Sequence, residues 1–247
     1  MSKLKAIILA AGKGTRMKSE LPKVLHEIHG RCLVEYVIDA ARAAGAEEIC
    51  LVVGHKAELV KERIGDQVSY ALQAEQLGTG HAVKCAADFI GEDGDTMILC
   101  GDTPIITGAT LQELVDYHRK HHFKVTVLST ILDDATGYGR IIRDKEGSFA
   151  KIVEQKDATD EEKAVREINS GMYVFRSADL KESLSKITNQ NAQNEYYLTD
   201  TIEILNREAN AGQVAAGAYV TERADETRGV NTVEQLEEAG KILKPTA

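Results

Sequence analysis

Residues 9–17 read LAAGKGTRM and follow directly on the apolar run LKAIILA. Gly12 and Gly14 expose backbone N–H groups with no Cβ in the way, and Lys13, Arg16 and then Lys23 in LPKVL add positive charge. That combination suits a polyphosphate held at close range. A P-loop needs GxxxxGK[ST], and the stretch has neither that spacing nor a lysine followed by a hydroxyl. A dinucleotide fingerprint needs GxGxxG opening a helix, but Met17 stands at the third small position and Pro22 falls where the helix should run. A tight strand-to-helix turn with exposed basic residues is the other reading of a lone GxG. The tip of a first parallel strand is nonetheless where open α/β sheets hold ligands.

Short apolar runs alternate with amphipathic stretches through the first half: LKAIILA, LVEYVIDAARAA, EEICLVVG, HKAELVKERI, VSYAL, HAVKCAADFI and TMILCGD. This rhythm predicts an α/β fold, a Rossmann-like open, mostly parallel mixed sheet flanked by helices. From about residue 124 the pattern turns β-rich. KVTVLSTIL, GRIIRD and, after a DKEGS turn, FAKIVEQ read as strands joined by hairpins, an insertion over the sheet's edge. INSGMYVFR is a further strand, NEYYLTDTIEILNREANAG a helix ended by Gly212, QVAAGAYV a late strand and TVEQLEEAGKIL a closing helix.

At 247 residues the chain can bury a sizeable core. Thirty basic against thirty-nine acidic side chains, net −9, exclude a broad electrostatic grip on nucleic acid or an anionic membrane, so any anion must be held locally. No apolar run approaches a membrane span, and a cytoplasmic protein is expected. Cys32, Cys50, Cys85 and Cys100 show no metal-ligand spacing and read as buried or half-buried free thiols. His118, His121 and His122 in HRKHH could suggest a metal clip. A solvated, cation-rich helix end fits better, because Arg119 and Lys120 would repel a divalent ion.

Taken in order, LAAGKGTRM with LPKVL, QAEQLGTGHA (73–82) and GDTP (101–104) resemble the sugar-nucleotide pyrophosphorylases, nucleotidyltransferases that make NDP-sugars. GYGRI, IVEQKDA, INSGMYVF, NEYYLTD and GVNT narrow the resemblance to the bacterial N-acetylglucosamine-1-phosphate uridyltransferases over nearly the whole chain. It implies the reaction of UTP with N-acetylglucosamine 1-phosphate to give UDP-N-acetylglucosamine and pyrophosphate, a supply for envelope polymers. It also implies one nucleotidyltransferase domain over residues 1–247. Within it, 1–122 would bind nucleotide, 123–232 would bind sugar and close the sheet, and 233–247 would form a terminal helix and tail.

The resemblance assigns roles residue by residue. Asp102 and Asn231 would hold Mg2+, an oxygen pair that suits a hard cation; for Asp102 the residues alone allow a helix or turn cap equally well. Arg16 would stabilise the pyrophosphate leaving group, and Lys23 would lie near the α-phosphate. Leu9, Ala10, Ala11, Gly12, Gly14, Gly101 and Gly78 would border the nucleotide, with Gln73 offering the donor and acceptor that reading uracil requires. Thr79, Gly139, Glu154 and Asn169 would contact the sugar or its phosphate. Tyr197 and Thr199 would line an acetamido pocket, although Leu198, Thr199 and Asp200 also read as a helix start.

Cys100 stands where many similar enzymes carry an aromatic. The bifunctional members of the family continue into a β-helix of hexapeptide repeats that transfers acetyl groups, and with the chain stopping at Ala247 no acetyltransferase activity is expected, and a monomer is favoured. The alternatives are a pyrophosphorylase for another sugar phosphate or NTP, a related cytidylyl or guanylyl transferase, and a non-catalytic protein that binds a UDP-sugar.

Overall fold

The computed structural model describes residues 2–209 and 214–244. The first half runs β1 (Leu4–Ala10), β2 (Glu27–Ile28), β3 (Arg31–Cys32), α1 (Leu33–Ala43), β4 (Glu48–Val53), α2 (Ala57–Ile64), β5 (Ser69–Leu72), α3 (Thr79–Cys85), α4 (Ala87–Ile90), β6 (Asp95–Cys100) and α5 (Gly108–His121). The second half continues β7 (Val125–Ile131), β8 (Arg140–Arg143), β9 (Phe149–Val153), α6 (Asp160–Lys163), β10 (Glu167–Arg176), α7 (Ser177–Leu184), α8 (Asp200–Arg207), β11 (Ala216–Val220) and α9 (Val233–Ile242).

β1 has a parallel partner on each side, β4 in the register Lys5 to Glu48 and β6 in the register Leu4 to Asp95. β5 adds in parallel to β4. The chain therefore winds outward from β1 to β5 and then returns to the opposite side of β1 as β6. This reversal opens a crevice at the carboxyl ends of the strands. Beyond β6 the sheet continues in the order β10, β7, β11, with β10 antiparallel to both neighbours and β11 parallel to β7.

The β-rich region departs from expectation in two ways. β7 forms no hairpin with β8; only β8 and β9 pair across the DKEGS turn, joined to the sheet at Ile168 opposite Arg140. Nor is the region laid over an edge, because β10 enters the sheet directly beside β6. The physical reason is burial: β7 is covered at every residue but Ile131, and a strand buried on both faces needs neighbours on both sides.

Two helix layers cover the sheet. Val34, Val37, Ile38 and Ala41 of α1 repeat at helical spacing and pack with Leu111, Leu114 and Val115 of α5 on one face. Val83 of α3, Ile90 of α4, Leu180 and Leu184 of α7, and Ile202 and Leu205 of α8 pack on the other. α8 begins at Asp200, later than its sequence suggested, because the preceding residues form a loop in which the Asn191 side chain accepts from the N–H groups of Gln193 and Glu195. Gly212, predicted to end this helix, lies outside the described residues.

The four cysteines are free, Cys32 and Cys50 buried, Cys85 and Cys100 half-buried. No metal clip forms at the end of α5, and among the described residues no group of three His, Cys, Asp or Glu could hold a metal. The reading of that end as solvated is corrected for His118, which is buried with Nδ1 2.9 Å from the Thr126 hydroxyl. It continues the inward stripe of Leu111, Leu114 and Val115 by one further turn.

Asp95, buried at the start of β6, accepts hydrogen bonds from Arg119 Nε at 2.7 Å and from the Ser2 hydroxyl at 3.1 Å. Burial alone would raise its carboxyl, but His118 and Arg119 outweigh burial and hold it below the usual range. The stability so gained is present above the unfolded carboxylate value of about 3.9 and is lost as pH falls through the lower folded value. Asp95→Asn is expected to cost about 1–3 kcal/mol at pH 7. Thermal melts followed by circular dichroism should show the gap to the unsubstituted protein narrowing as pH falls toward about 3.

Candidate active site

The loop after β1, the loop after β6 and the turn before α9 converge on the crevice. Residues 11–32 form no long helix: two short 3₁₀ turns, Thr15–Met17 and Lys23–Leu25, and a small hairpin carry the chain to α1. Gly14 has φ +63, and a Cβ there would lie 2.6 Å from Cβ of Lys23. Glycine therefore lets the loop fold down on Lys23. Gly101 N–H donates to the Leu9 carbonyl at 2.9 Å, so the β1–β6 ladder runs on to the residue before Asp102.

Lys23 Nζ pairs with Asp102 Oδ2 and donates to Asn231 Oδ1 at 3.0 Å. Arg16 Nη2 donates to the same Asn231 oxygen at 2.8 Å. Asn231 is held from behind by the start of α9, where Gln235 Oε1 accepts its N–H at 2.8 Å. Asp102 is held by Val230 N–H, which donates to its carbonyl at 2.8 Å. Asp102 thus caps no helix. Its carboxylate and the Asn231 carbonyl point at one positive centre.

Beside this cluster lies a cavity of about 300 Å³, bordered by Leu9, Ala10, Ala11, Gly12, Lys23, Gln73, Gly78, Thr79, Cys100 and Asp102. Gln73 is buried, and its Nε2 donates to the Gly78 carbonyl at 3.1 Å and faces His81 Nδ1 at 3.1 Å. Oε1 is the atom left to meet a ligand. Gly78 has φ +107, and a Cβ there would lie 2.5 Å from the Tyr196 carbonyl. A second cleft, about 500 Å³, lies between Tyr138, Arg228 and Ile242. It is the larger of the two, but apart from Tyr138 of GYGRI and Gly229 and Val230 of GVNT it holds no residue from those motifs and none of the expected site residues, and the chemistry belongs to the first.

Glu154, Asn169 and Gly139 come together on the other side of the crevice. A Cβ on Gly139 would sit 3.4 Å from Glu154 Oε2 and 3.5 Å from Asn169 Cβ. Asn169 precedes a register shift in the β10–β7 pairing, and its Oδ1 accepts from Gly171 N–H at 2.8 Å and from the Tyr173 hydroxyl at 2.9 Å. Its Nδ2 remains to donate. Glu154 has no basic partner among the described residues; desolvation, then the charges of Asp157, Asp200 and Glu195, raise its carboxyl against a bond from the Thr199 hydroxyl at 3.2 Å. Asp200, desolvated beside Glu203 and Asp157, is pushed up to about 6.

Three of the expected site residues are also bonded within the protein. Thr199 stands at the start of α8, as the helix-start reading had it, and its hydroxyl donates to Glu154 rather than capping the helix. The Tyr197 hydroxyl donates to Asp157 at 3.1 Å and accepts from Gln193 at 2.9 Å. Thr79 Oγ1 accepts the Leu198 N–H at 3.1 Å and so ties α3 to the 191–199 loop. Sequence reasoning missed Gly54, where a Cβ would lie 2.9 Å from the Ala11 and Gln73 carbonyls. The signal was a glycine closing EICLVVG at the end of a second parallel strand. It also missed Glu195 and Gln76, which border the cavity but fall in loops with no periodicity. Cys100, flagged as a departure, borders the cavity; its thiol donates to the Gly171 carbonyl at 3.4 Å, and burial pushes it up to about 12.

The family model for nucleotidyl transferases matches residues 5–219, which hold Arg16, Lys23, Gln73, Asp102, Glu154 and Asn169 but end before Asn231. The chain belongs to that family. Bifunctional protein GlmU of Thermoanaerobacter pseudethanolicus is 53% identical over 244 residues, covering 99% of this chain and 52% of that protein. The proteins of the same name from Clostridioides difficile and Bacillus licheniformis are 47% and 49% identical over 240 and 245 residues. They cover 97% and 99% of this chain and 51% and 53% of their own length. The chain thus spans about half the length of the curated relatives it matches. A crystal structure of UDP-glucose pyrophosphorylase complexed with UDP-glucose has the same fold, with a TM-score of 0.78 at 20% identity over 98% of both chains.

In this member of the family, Gly78→Ala must either strain the backbone or push the Tyr196 carbonyl away. A loss of about 2 kcal/mol or more in urea unfolding is expected, far above the effect of an ordinary loop substitution.

Proposed function

We propose that this chain catalyses uridylyl transfer from UTP to N-acetylglucosamine 1-phosphate, giving UDP-N-acetylglucosamine and pyrophosphate. The observation that carries the reading is the convergence of Arg16, Lys23, Asp102 and Asn231 beside a cavity that Lys23 and Asp102 line together with Gln73 and Gly78. The order of motifs and the GlmU relatives support the choice of substrates.

The acceptor is already an oxyanion, so no general base is required. A sugar-phosphate oxygen attacks the α-phosphorus of UTP in line; that P–O bond forms while the bond to the β-phosphate breaks, and pyrophosphate leaves with the electron pair. Catalysis is then positioning and charge neutralisation. Arg16 offers a planar fork to the leaving pyrophosphate, and Lys23 a point charge on a flexible stem to the α-phosphate. Gln73 Oε1 can accept the N3–H of uracil, a proton that cytosine lacks. Leu9, Ala10, Ala11, Gly12 and Gly101 leave room for the base and ribose. Glu154 accepts from sugar hydroxyls, and Asn169 Nδ2 donates to a hydroxyl or the acetamido oxygen, with Thr79, Gly139 and Thr199 around them.

Asp102 and Asn231 would hold Mg2+. The fit rests on chemistry in this structure: one oxygen from each side chain already faces a single ammonium, so both can serve one cation. Two protein oxygens leave the remaining positions to phosphate and water, as Mg2+ prefers. When bound, the ion neutralises charge on the reacting phosphates.

Residues 1–122 supply the nucleotide side and 123–232 the sugar side, with 233–247 closing the domain. We read the chain as a monomer acting in the cytoplasm, where its nucleotide substrate is found. No described helix is long and apolar enough to cross a membrane.

Pyrophosphate release should require Mg2+, UTP and N-acetylglucosamine 1-phosphate, and be much weaker with glucose 1-phosphate, glucosamine 1-phosphate or another NTP. Asp102→Ala should lower kcat by about a hundredfold or more. Release with a different pair would replace the substrates, and binding of UDP-N-acetylglucosamine with no release from any pair would leave a UDP-sugar-binding protein.

A further inference from the structure

The turn after β9 does more than present Glu154. Asp157 closes it, donating its N–H to the Glu154 carbonyl at 3.0 Å. Its carboxylate then reaches the 191–199 loop, Oδ1 accepting the Ala192 N–H at 2.9 Å and Oδ2 the Tyr197 hydroxyl at 3.1 Å. Thr199 returns from the same loop to Glu154 at 3.2 Å. Both ends of one four-residue turn are clasped by a single segment.

That segment also reaches the base side of the crevice. Tyr196 donates its N–H to the Leu77 carbonyl and accepts from Gly80 N–H, both at 2.8 Å. Asp157 has no ion-pair partner among the described residues and stands among three other carboxylates, Glu154, Glu195 and Asp200. A neutral side chain would fit this acidic surrounding better unless both oxygens were needed as acceptors, and they are.

We propose that Asp157 is a positioning residue for the acceptor: it latches the 191–199 loop onto the turn bearing Glu154 and thereby sets affinity for the sugar phosphate without touching it. This extends the uridylyl transfer proposed above and rests on it. The latch also gives Tyr197 a role besides the acetamido lining expected of it.

The test compares the unsubstituted protein, Asp157→Ala and Tyr197→Phe. Initial rates are measured with each substrate varied in turn, and amide hydrogen exchange over residues 191–199 is followed without substrate. In Asp157→Ala the KM for N-acetylglucosamine 1-phosphate should rise about tenfold, with kcat and the KM for UTP within about twofold. Exchange in the loop should quicken. Tyr197→Phe removes one of the two bonds and should give a smaller change of the same kind, which guards against a folding defect in the first variant. An unchanged acceptor KM, or equal rises in both KM values, overturns the proposal. If the unsubstituted protein transfers no uridylyl group to this acceptor, the function above fails. Hydrogen exchange then decides the latch alone: lost protection in Asp157→Ala supports it, and retained protection overturns it.

Discussion

The Lys23 ammonium lies between the carboxylate of Asp102 and the side-chain oxygen of Asn231, and the site depends on that contact. The three residues are separated by 79 and 208 positions along the chain. Half-buried ion pairs seldom add much net stability, because desolvation offsets the attraction. What this one provides is placement: a cation carried by the loop after β1 is held against one oxygen from the loop after β6 and one from the turn before α9. The pairing of β1 with β6 makes this possible by setting the two tips side by side.

The order of winding determines which tips meet. Because the chain runs from β1 out to β5 before returning beside β1, the glycine loop and the Cys100–Asp102 loop flank the point where the sheet reverses. The antiparallel β10 then adds beside β6 and brings Asn169 to the same crevice, with Gly139 and Glu154 carried by the β8–β9 ribbon attached to it. The base side and the sugar side are therefore two flanks of one sheet. The 191–199 loop connects them, bonded to Leu77, Thr79 and Gly80 on one flank and to Glu154 and Asp157 on the other.

Electrostatics divides the crevice in the same way. Cations gather at the glycine loop, where phosphate charge would be met, while uncompensated carboxylates surround Glu154, where hydroxyl donors would be met. A chain of net charge −9 can hold a polyphosphate only by such local segregation.

The parallel first half, the helices on both faces and the chemistry of the glycine loop could be read from the sequence, because period and glycine placement are local properties of the backbone. Arg16, Lys23, Asp102 and Asn231 were legible only as motifs in a family order. That they share one centre follows from strand register, which no local pattern encodes. The sequence by itself determined which segments are strands and which residues carry charge or donors. The tertiary structure alone decided that β7 joins the main sheet rather than an edge hairpin, that His118 is inside, and that the Tyr197 hydroxyl bonds to Asp157. Each of these depends on which elements lie next to one another, and packing between residues far apart in the chain sets that.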